Sequence, residues 1–163
     1  MSTWPTFDLS LFWTVPTYKE HSRMPPTKDG HMDCLETTHL SFPGLAFSET
    51  LANMGNNTTL YCRLALLFIE QHSQDLTEIE AALEQGNREL AVNLIHTLRG
   101  TAGNIGAITL YHSAGELESE VRGSESITTV PHEVKQAMTE LLSSLADLFS
   151  EFSQTAGPRA SSL

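Results

Sequence analysis

Apolar residues recur every three to four positions from Pro43 onward, which is the spacing of one face of an α-helix. The longest such pattern follows Pro131, a residue suited to the first turn of a helix. It predicts a long amphipathic helix near the end of the chain. The inward side of that helix is formed by Val134, Ala137, Met138, Leu141, Leu145, Leu148 and Phe152.

Turns rich in glycine and asparagine divide the rest of the pattern into shorter helices. We expect these helices over Leu45–Met54, Thr58–Gln71, Asp75–Gln85, a segment around His96, and Leu110–Val121. In the second helix, the predicted inward residues are Leu60, Leu64, Leu67 and Phe68, with Tyr61 and Ala65 beside them. Amphipathic helices joined by short turns predict an all-α fold, an antiparallel helical bundle.

The first 41 residues differ in composition from the helical part. They contain four of the seven prolines and both tryptophans, and they sustain no apolar period. We predict a largely irregular N-terminal extension or linker over residues 1–41, a bundle over 42–154 and a frayed tail over 155–163. The stretch Phe7–Trp13 is too apolar for a purely solvated segment, so its docking on the bundle stays open.

Length, charge and cysteine content limit the class of protein. A chain of 163 residues is long enough for one domain with a buried core. Its formal charge of −11 disfavours binding to nucleic acid or anionic lipid. Cys34 and Cys62 lack zinc-like spacing and are expected to be reduced, although a disulfide stays open. Because the sequence has no signal-peptide pattern and no long apolar stretch, we expect a cytoplasmic protein without membrane contact.

The stretch LIHTLRGTAGNIGA, Leu94–Ala107, has helical spacing although its interior contains two glycines, each costing up to about 1 kcal/mol relative to alanine. At about 100° per residue, His96 points away from the inward side. That inward side is predicted to consist of Leu90, Ala91, Leu94, Leu98, Ala102 and Ile105. The outer side carries, with His96, the residues Glu89, Val92, Asn93, Arg99, Gly100 and Gly103.

A core on the opposite side has no need of the two glycines, so we interpret Gly100 and Gly103 as access for a partner surface to the imidazole. Val92 and Asn93 are assigned to the same docking surface. Arg99, one turn from His96, is suited to pair with an anion carried by the ring, such as a phosphoryl group. The simpler alternatives are an exposed histidine, a solvated arginine and a glycine in a packing contact.

A second candidate follows from the turn expected at Gly106–Ala107. Residues equidistant from a turn face each other across an antiparallel helix pair, and His96 and Glu118 are equidistant from Ala107. Glu118 is therefore predicted to lie beside the ring and to orient it through the second ring nitrogen; a solvated surface glutamate is the alternative. The remaining histidines lack comparable surroundings in the sequence: His21, His31, His39, His72, His112 and His132.

The segment HTLRGTAGNIG, His96–Gly106, resembles the phosphoacceptor motif of histidine phosphotransfer (HPt) domains, in which His-x-Leu-Lys/Arg-Gly is followed by an apolar residue and glycine. The likeness extends over residues 42–152 and includes GNNTTLYCRLALLFIEQH and LYHSAGELE. It implies a bundle with a four-helix core in which His96 is the phosphoacceptor, Arg99 the nearby basic residue, and Gly100 and Gly103 the small residues that give access. Arg99 replaces the commoner lysine, and similar domains often carry Gln or Glu at the place of Glu118.

The resemblance implies a phosphoryl carrier that takes the group from an aspartate of one receiver domain and passes it to an aspartate of another. No nucleotide-binding glycine loop is present, so we expect no ATP-dependent kinase activity and no cofactor of its own; Mg²⁺ is expected in the partner receiver domain. The main alternative is a non-catalytic helical scaffold or dimerisation module. A metal site within the bundle would need Glu-x-x-His spacing, which residues 42–154 lack.

Overall fold

The computed structural model describes residues 41–155, so the predicted extension before Ser41 and the predicted tail after Thr155 lie outside the described residues. The described part is all-α, as predicted, and contains six helices. They are α1 (Phe47–Asn53), α2 (Thr58–His72), α3 (Asp75–Glu84), α4 (Arg88–Asn104), α5 (Ile108–Gly123) and α6 (His132–Thr155).

Local sequence signals set the ends of the helices that build the centre of the bundle. The side chains of Asn57 and Asn87 accept hydrogen bonds from the backbone N–H groups three residues later and so cap α2 and α4. Gly106, in the turn between α4 and α5, has φ +76°, a conformation that favours glycine. A Cβ at this glycine would also overlap Thr50 Oγ1, so the tight turn depends on glycine for two reasons.

The core lies between helices that pack mainly in chain order: α3 on α4, α4 on α5, and α5 on α6. The predicted inward side of α6 is buried from Val134 to Leu148, and Phe152 is half-buried against the core. Tyr61 donates a hydrogen bond from its hydroxyl to the carbonyl of Ile105 (2.9 Å), and burial strongly raises its pKa. This bond ties α2 to the end of α4.

The predicted faces of two helices are partly wrong. On α2, Leu60 and Leu67 are about 40% exposed, and the buried residues are Tyr61, Ala65, Phe68 and His72. On α4, Leu90 is 45% exposed, whereas Val92 and Ile95 are buried. In both helices the predicted face is rotated towards exposed leucines, because helical spacing alone does not distinguish a leucine at the flank of the core from a smaller or aromatic residue at its centre.

None of the helices between residues 41 and 155 combines the length and apolarity needed to cross a lipid bilayer.

Candidate functional site

His96 lies in the middle of α4 with 71% of its side chain exposed, as predicted. Gly100 follows one turn later on the same side, and a Cβ built there meets no heavy atom within 4 Å. A second protein surface therefore has free access to the imidazole from this direction.

Glu118 of α5 lies beside His96, where the turn at Gly106 was expected to bring it. Its Oε1 atom is 3.2 Å from His96 Nδ1, and its side chain is only 9% exposed. The same carboxylate accepts hydrogen bonds from two arginines. Arg99 Nη1 donates to Oε2 (3.3 Å), while Arg122 donates to Oε1 from Nη2 (2.9 Å) and Nε (3.3 Å).

The ionisation of Glu118 determines the chemistry of the ring. Burial raises the pKa of this carboxyl, but hydrogen bonds from the two arginines and the histidine hold it below its ordinary value. An ionised carboxylate only accepts hydrogen bonds, so Nδ1 of His96 carries the proton. The neutral ring then has its lone pair on Nε2, and an exposed Nε2 lone pair is a nucleophile.

Besides its hydrogen bond to Glu118, Arg99 makes two contacts with Tyr111 of α5. Its Nη2 atom donates to the hydroxyl of Tyr111 (3.1 Å), and its guanidinium carbon lies 4.8 Å from the centre of the Tyr111 ring. A Cβ at Gly115 would approach Arg99 Nε to 3.2 Å, so this glycine leaves the space that the arginine occupies. The guanidinium is thus positioned next to Glu118 and His96.

Gly103 is exposed like Gly100 but has a different environment, and its role in access stays a prediction. A Cβ at Gly103 would lie 3.2 Å from Tyr111 Cδ2, so this exposed glycine also makes a close contact between α4 and α5. Only Gly100 has the open surroundings that the sequence analysis assigned to both glycines. Gly103 thus lies against Tyr111, the residue that accepts a hydrogen bond from Arg99.

The other two residues assigned to the docking surface also differ from each other. Val92 is only 9% exposed and belongs to the core, so its placement on the outer side of the helix is wrong. Asn93 is exposed. Both residues line a surface depression between α4 and α5 that is completed by Arg88, Glu89, Val121 and Arg122. This depression adjoins the Glu118–Arg122 pair.

Sequence reasoning missed Arg122 and Tyr111. Both lie on the face of α5 that carries Glu118, since Tyr111, Gly115, Glu118 and Arg122 follow one another at helical spacing. A search for partners three or four residues from the predicted Glu118 would have found Arg122. Tyr111 acts through Arg99, a contact between helices that spacing along α5 does not reveal.

No group of three or more His, Cys, Asp or Glu side chains within the described range is arranged to hold a metal ion. The site consists of an exposed imidazole in contact with a buried carboxylate, and of two guanidinium groups that bind the same carboxylate. Such an arrangement is suited to nucleophilic attack by Nε2 and to stabilisation of an anion bound there.

Comparison with protein-family models gave a match. A family model described as Hpt domain matches residues 63–151, which is more than half of the 163-residue chain. The matched range contains His96, Glu118 and both arginines of the site. No curated protein and no solved structure gave a significant match.

Proposed function

The chain belongs to the Hpt domain family, and we propose that it is a phosphorelay intermediate that carries a phosphoryl group on His96 between the aspartates of two receiver domains. Hpt domains are histidine phosphocarriers of two-component signalling rather than kinases, and they interact with receiver domains. The observation that carries the residue assignment is the contact between exposed His96 and buried Glu118. A scaffold has no need of an exposed histidine whose tautomer is fixed by a buried carboxylate.

The proposed chemistry uses Nε2 of His96 as the nucleophile. Its lone pair forms the N–P bond while the P–O bond to the donor aspartate breaks, and the aspartate leaves as a carboxylate. Nδ1 keeps its proton, so the phosphorylated ring is a cation that Glu118 stabilises through the 3.2 Å contact. When an acceptor aspartate attacks the phosphorus, the N–P bond breaks and the neutral imidazole leaves.

Arg99 is proposed to stabilise the phosphoryl oxygens, because a guanidinium donates two parallel hydrogen bonds to such an anion. The exposed surface at Gly100 is proposed to admit the receiver, with Asn93 on the same side of α4. Mg²⁺ in the acidic pocket of the receiver would offset the charge of the transferred group. We expect a transient interface at the small end of the size range.

The assignment of the phosphoacceptor is tested with a phosphorylated receiver domain as the donor. Wild-type protein should acquire a label that is lost in acid and survives base, as expected for a phosphorus–nitrogen bond and not for an acyl phosphate. His96→Gln should abolish this label because Nε2 is the proposed nucleophile. His132→Gln, which changes another exposed histidine, is the matched control and should label normally.

Circular dichroism should give the same helix content for all three proteins. Labelling of the His96→Gln variant to the wild-type level would contradict the assignment of His96. Absence of label from the wild-type protein with every receiver tested, together with a stable dimer in sedimentation, would favour the scaffold alternative.

A further inference from the structure

The negative charge of Glu118 opposes the reactivity that is proposed for His96. A carboxylate in contact with an imidazole favours the doubly protonated ring, and that ring has no lone pair on Nε2. Glu118 is largely buried, so water screens its charge poorly. Unless another group offsets this charge, the residue that orients His96 would also suppress its reactivity at neutral pH.

Two cations face the carboxylate, and they contact different oxygens. Arg99, from α4, donates to Oε2 and shares its guanidinium with the hydroxyl of Tyr111. Arg122, from α5, donates from two nitrogens to Oε1, the oxygen that faces His96 Nδ1. Arg122 therefore holds the carboxylate oxygen that fixes the ring proton.

The other charged groups near this pair do not replace Arg122. Arg88 and Glu89 line the adjoining depression. The guanidinium of Arg88 donates hydrogen bonds to the backbone carbonyls of Val121 and Ser124 at the end of α5. Among the described residues, the hydrogen bonds to the Glu118 carboxylate come from Arg99, Arg122 and His96.

We propose that Arg122 is a positioning residue for His96: it fixes Glu118 Oε1 and offsets the carboxylate charge, so that Glu118 accepts the Nδ1–H bond without holding a second proton on Nε2. This inference rests on the proposed function of His96. Arg122 becomes more important in the phosphorylated protein, because a phosphoryl group on Nε2 competes with Glu118 for Arg99. Arg122 then remains as the counter-charge of the carboxylate.

The test uses the full chain and phosphoramidate, a small phosphoryl donor that needs no docking surface. In this reaction the N–P bond to His96 Nε2 forms as the P–N bond of phosphoramidate breaks, and ammonia leaves. The rate of His96 phosphorylation is measured between pH 5.5 and 8.5 for the wild type, Arg122→Gln and Arg122→Lys. Arg63→Gln removes the same charge from an exposed position on α2 and is the matched control.

Without the Arg122 charge, both the carboxyl group and the imidazole ring should keep their protons to higher pH. The acid limb of the pH–rate profile should therefore be displaced to higher pH. We expect a displacement of about half a pH unit or more in Arg122→Gln, which corresponds to about a threefold lower rate on that limb. Arg122→Lys keeps the charge and should restore the limb, and Arg63→Gln should follow the wild type. Nitrogen-15 NMR of the unphosphorylated ring should show more doubly protonated imidazole in Arg122→Gln near pH 6.5.

An Arg122→Gln profile that superimposes on the wild type overturns the proposal, as does an equal loss of rate at every pH, which would indicate a purely structural role. Failure of Arg122→Lys to restore the limb also overturns it. If the wild type takes no phosphoryl group at His96, the proposed function fails instead. The NMR comparison of protonation states then decides the role of Arg122 by itself.

Discussion

Two histidines of the described chain contact a carboxylate through Nδ1, and they differ in the access to Nε2. His72 Nδ1 lies 2.6 Å from Asp75 Oδ2, but His72 is only 6% exposed and its Nε2 is buried without a hydrogen-bond partner. His96 has the same kind of contact with Glu118 and is 71% exposed. A carboxylate partner at Nδ1 is therefore not sufficient for phosphoacceptor chemistry, because the nucleophilic nitrogen must also reach a partner.

The charge of Arg99 should matter more for the phosphoryl group than for the fold. We expect Arg99→Ala to lower the rate of transfer from a phosphorylated receiver about tenfold, which corresponds to about 1.4 kcal/mol and to the loss of charge-assisted hydrogen bonds. Arg99→Lys keeps the charge and should stay within about threefold of the wild type. Stopped-flow or quench-flow transfer assays give these rates, and thermal melts check the fold.

Equal transfer rates in Arg99→Ala and the wild type would contradict the pairing of Arg99 with the phosphoryl group. A loss of the melting transition would instead show that the contacts of Arg99 with Tyr111 and Glu118 stabilise the helix pair.

At the residue scale, the sequence predicted those site residues whose positions are set by the spacing along one helix or by one turn between helices. His96 and Arg99 lie on one turn of α4, and Glu118 follows from the reversal at Gly106. The tyrosine that holds Arg99 was not predicted because its contact joins two helices. Both glycines were interpreted as access residues from the sequence, which did not reveal that Gly103 also makes a close contact with Tyr111.

At the scale of the elements, helix bounds were easier to predict than helix faces. Turns rich in glycine and asparagine placed the predicted bounds of α2 and α3 within about one residue of the observed ones, which is inside the usual uncertainty of helix ends, whereas the helix around His96 was predicted without bounds. The faces of α2 and α4 were rotated because both helices carry more leucines than their buried sides hold. Composition and spacing do not decide which of several leucines is inward; packing against the neighbouring helices does.

The two glycines of α4 should respond differently to the same substitution, because Gly100 faces open space and Gly103 contacts Tyr111. Gly100→Ala should raise the free energy of unfolding by up to about 1 kcal/mol through helix propensity. Gly103→Ala should gain less, since its Cβ must displace the Tyr111 ring by a few tenths of an ångström. Urea unfolding curves measure both values, and a larger gain at Gly103 would contradict the packing contact.

Gly100→Gln separates access from stability on the same helix. The variant should melt at or above the wild-type temperature and should still react with phosphoramidate, which is small. Transfer from a receiver domain should fall clearly, because the longer side chain occupies the surface beside His96. Normal transfer from the receiver would show that Gly100 does not belong to the docking surface.

At the scale of the whole molecule, the segment before α1 closes the turn on which the site depends. The backbone N–H of Ala46 donates to the carbonyl of Gly106 (2.8 Å), and Leu45 forms a bridge with Ala107. Ser144 Oγ of α6 donates to the carbonyl of Pro43 (2.8 Å). The chain near residue 45 thus connects the last helix with the turn that brings Glu118 to His96.

These contacts predict where the chain tolerates truncation. A fragment that begins at Ser41 keeps Phe42 and Leu45, which are 8% and 9% exposed, and it should melt cooperatively and accept a phosphoryl group on His96. A fragment that begins at Phe47 loses both side chains, and large-to-small changes at such positions cost about 2–5 kcal/mol each. It should therefore melt at a clearly lower temperature. The difference in melting temperature between the two fragments measures the contribution of residues 41–46 to stability. If the fragment beginning at Ser41 already lacks a transition, then residues 1–40 complete the core and the prediction of a linker is wrong.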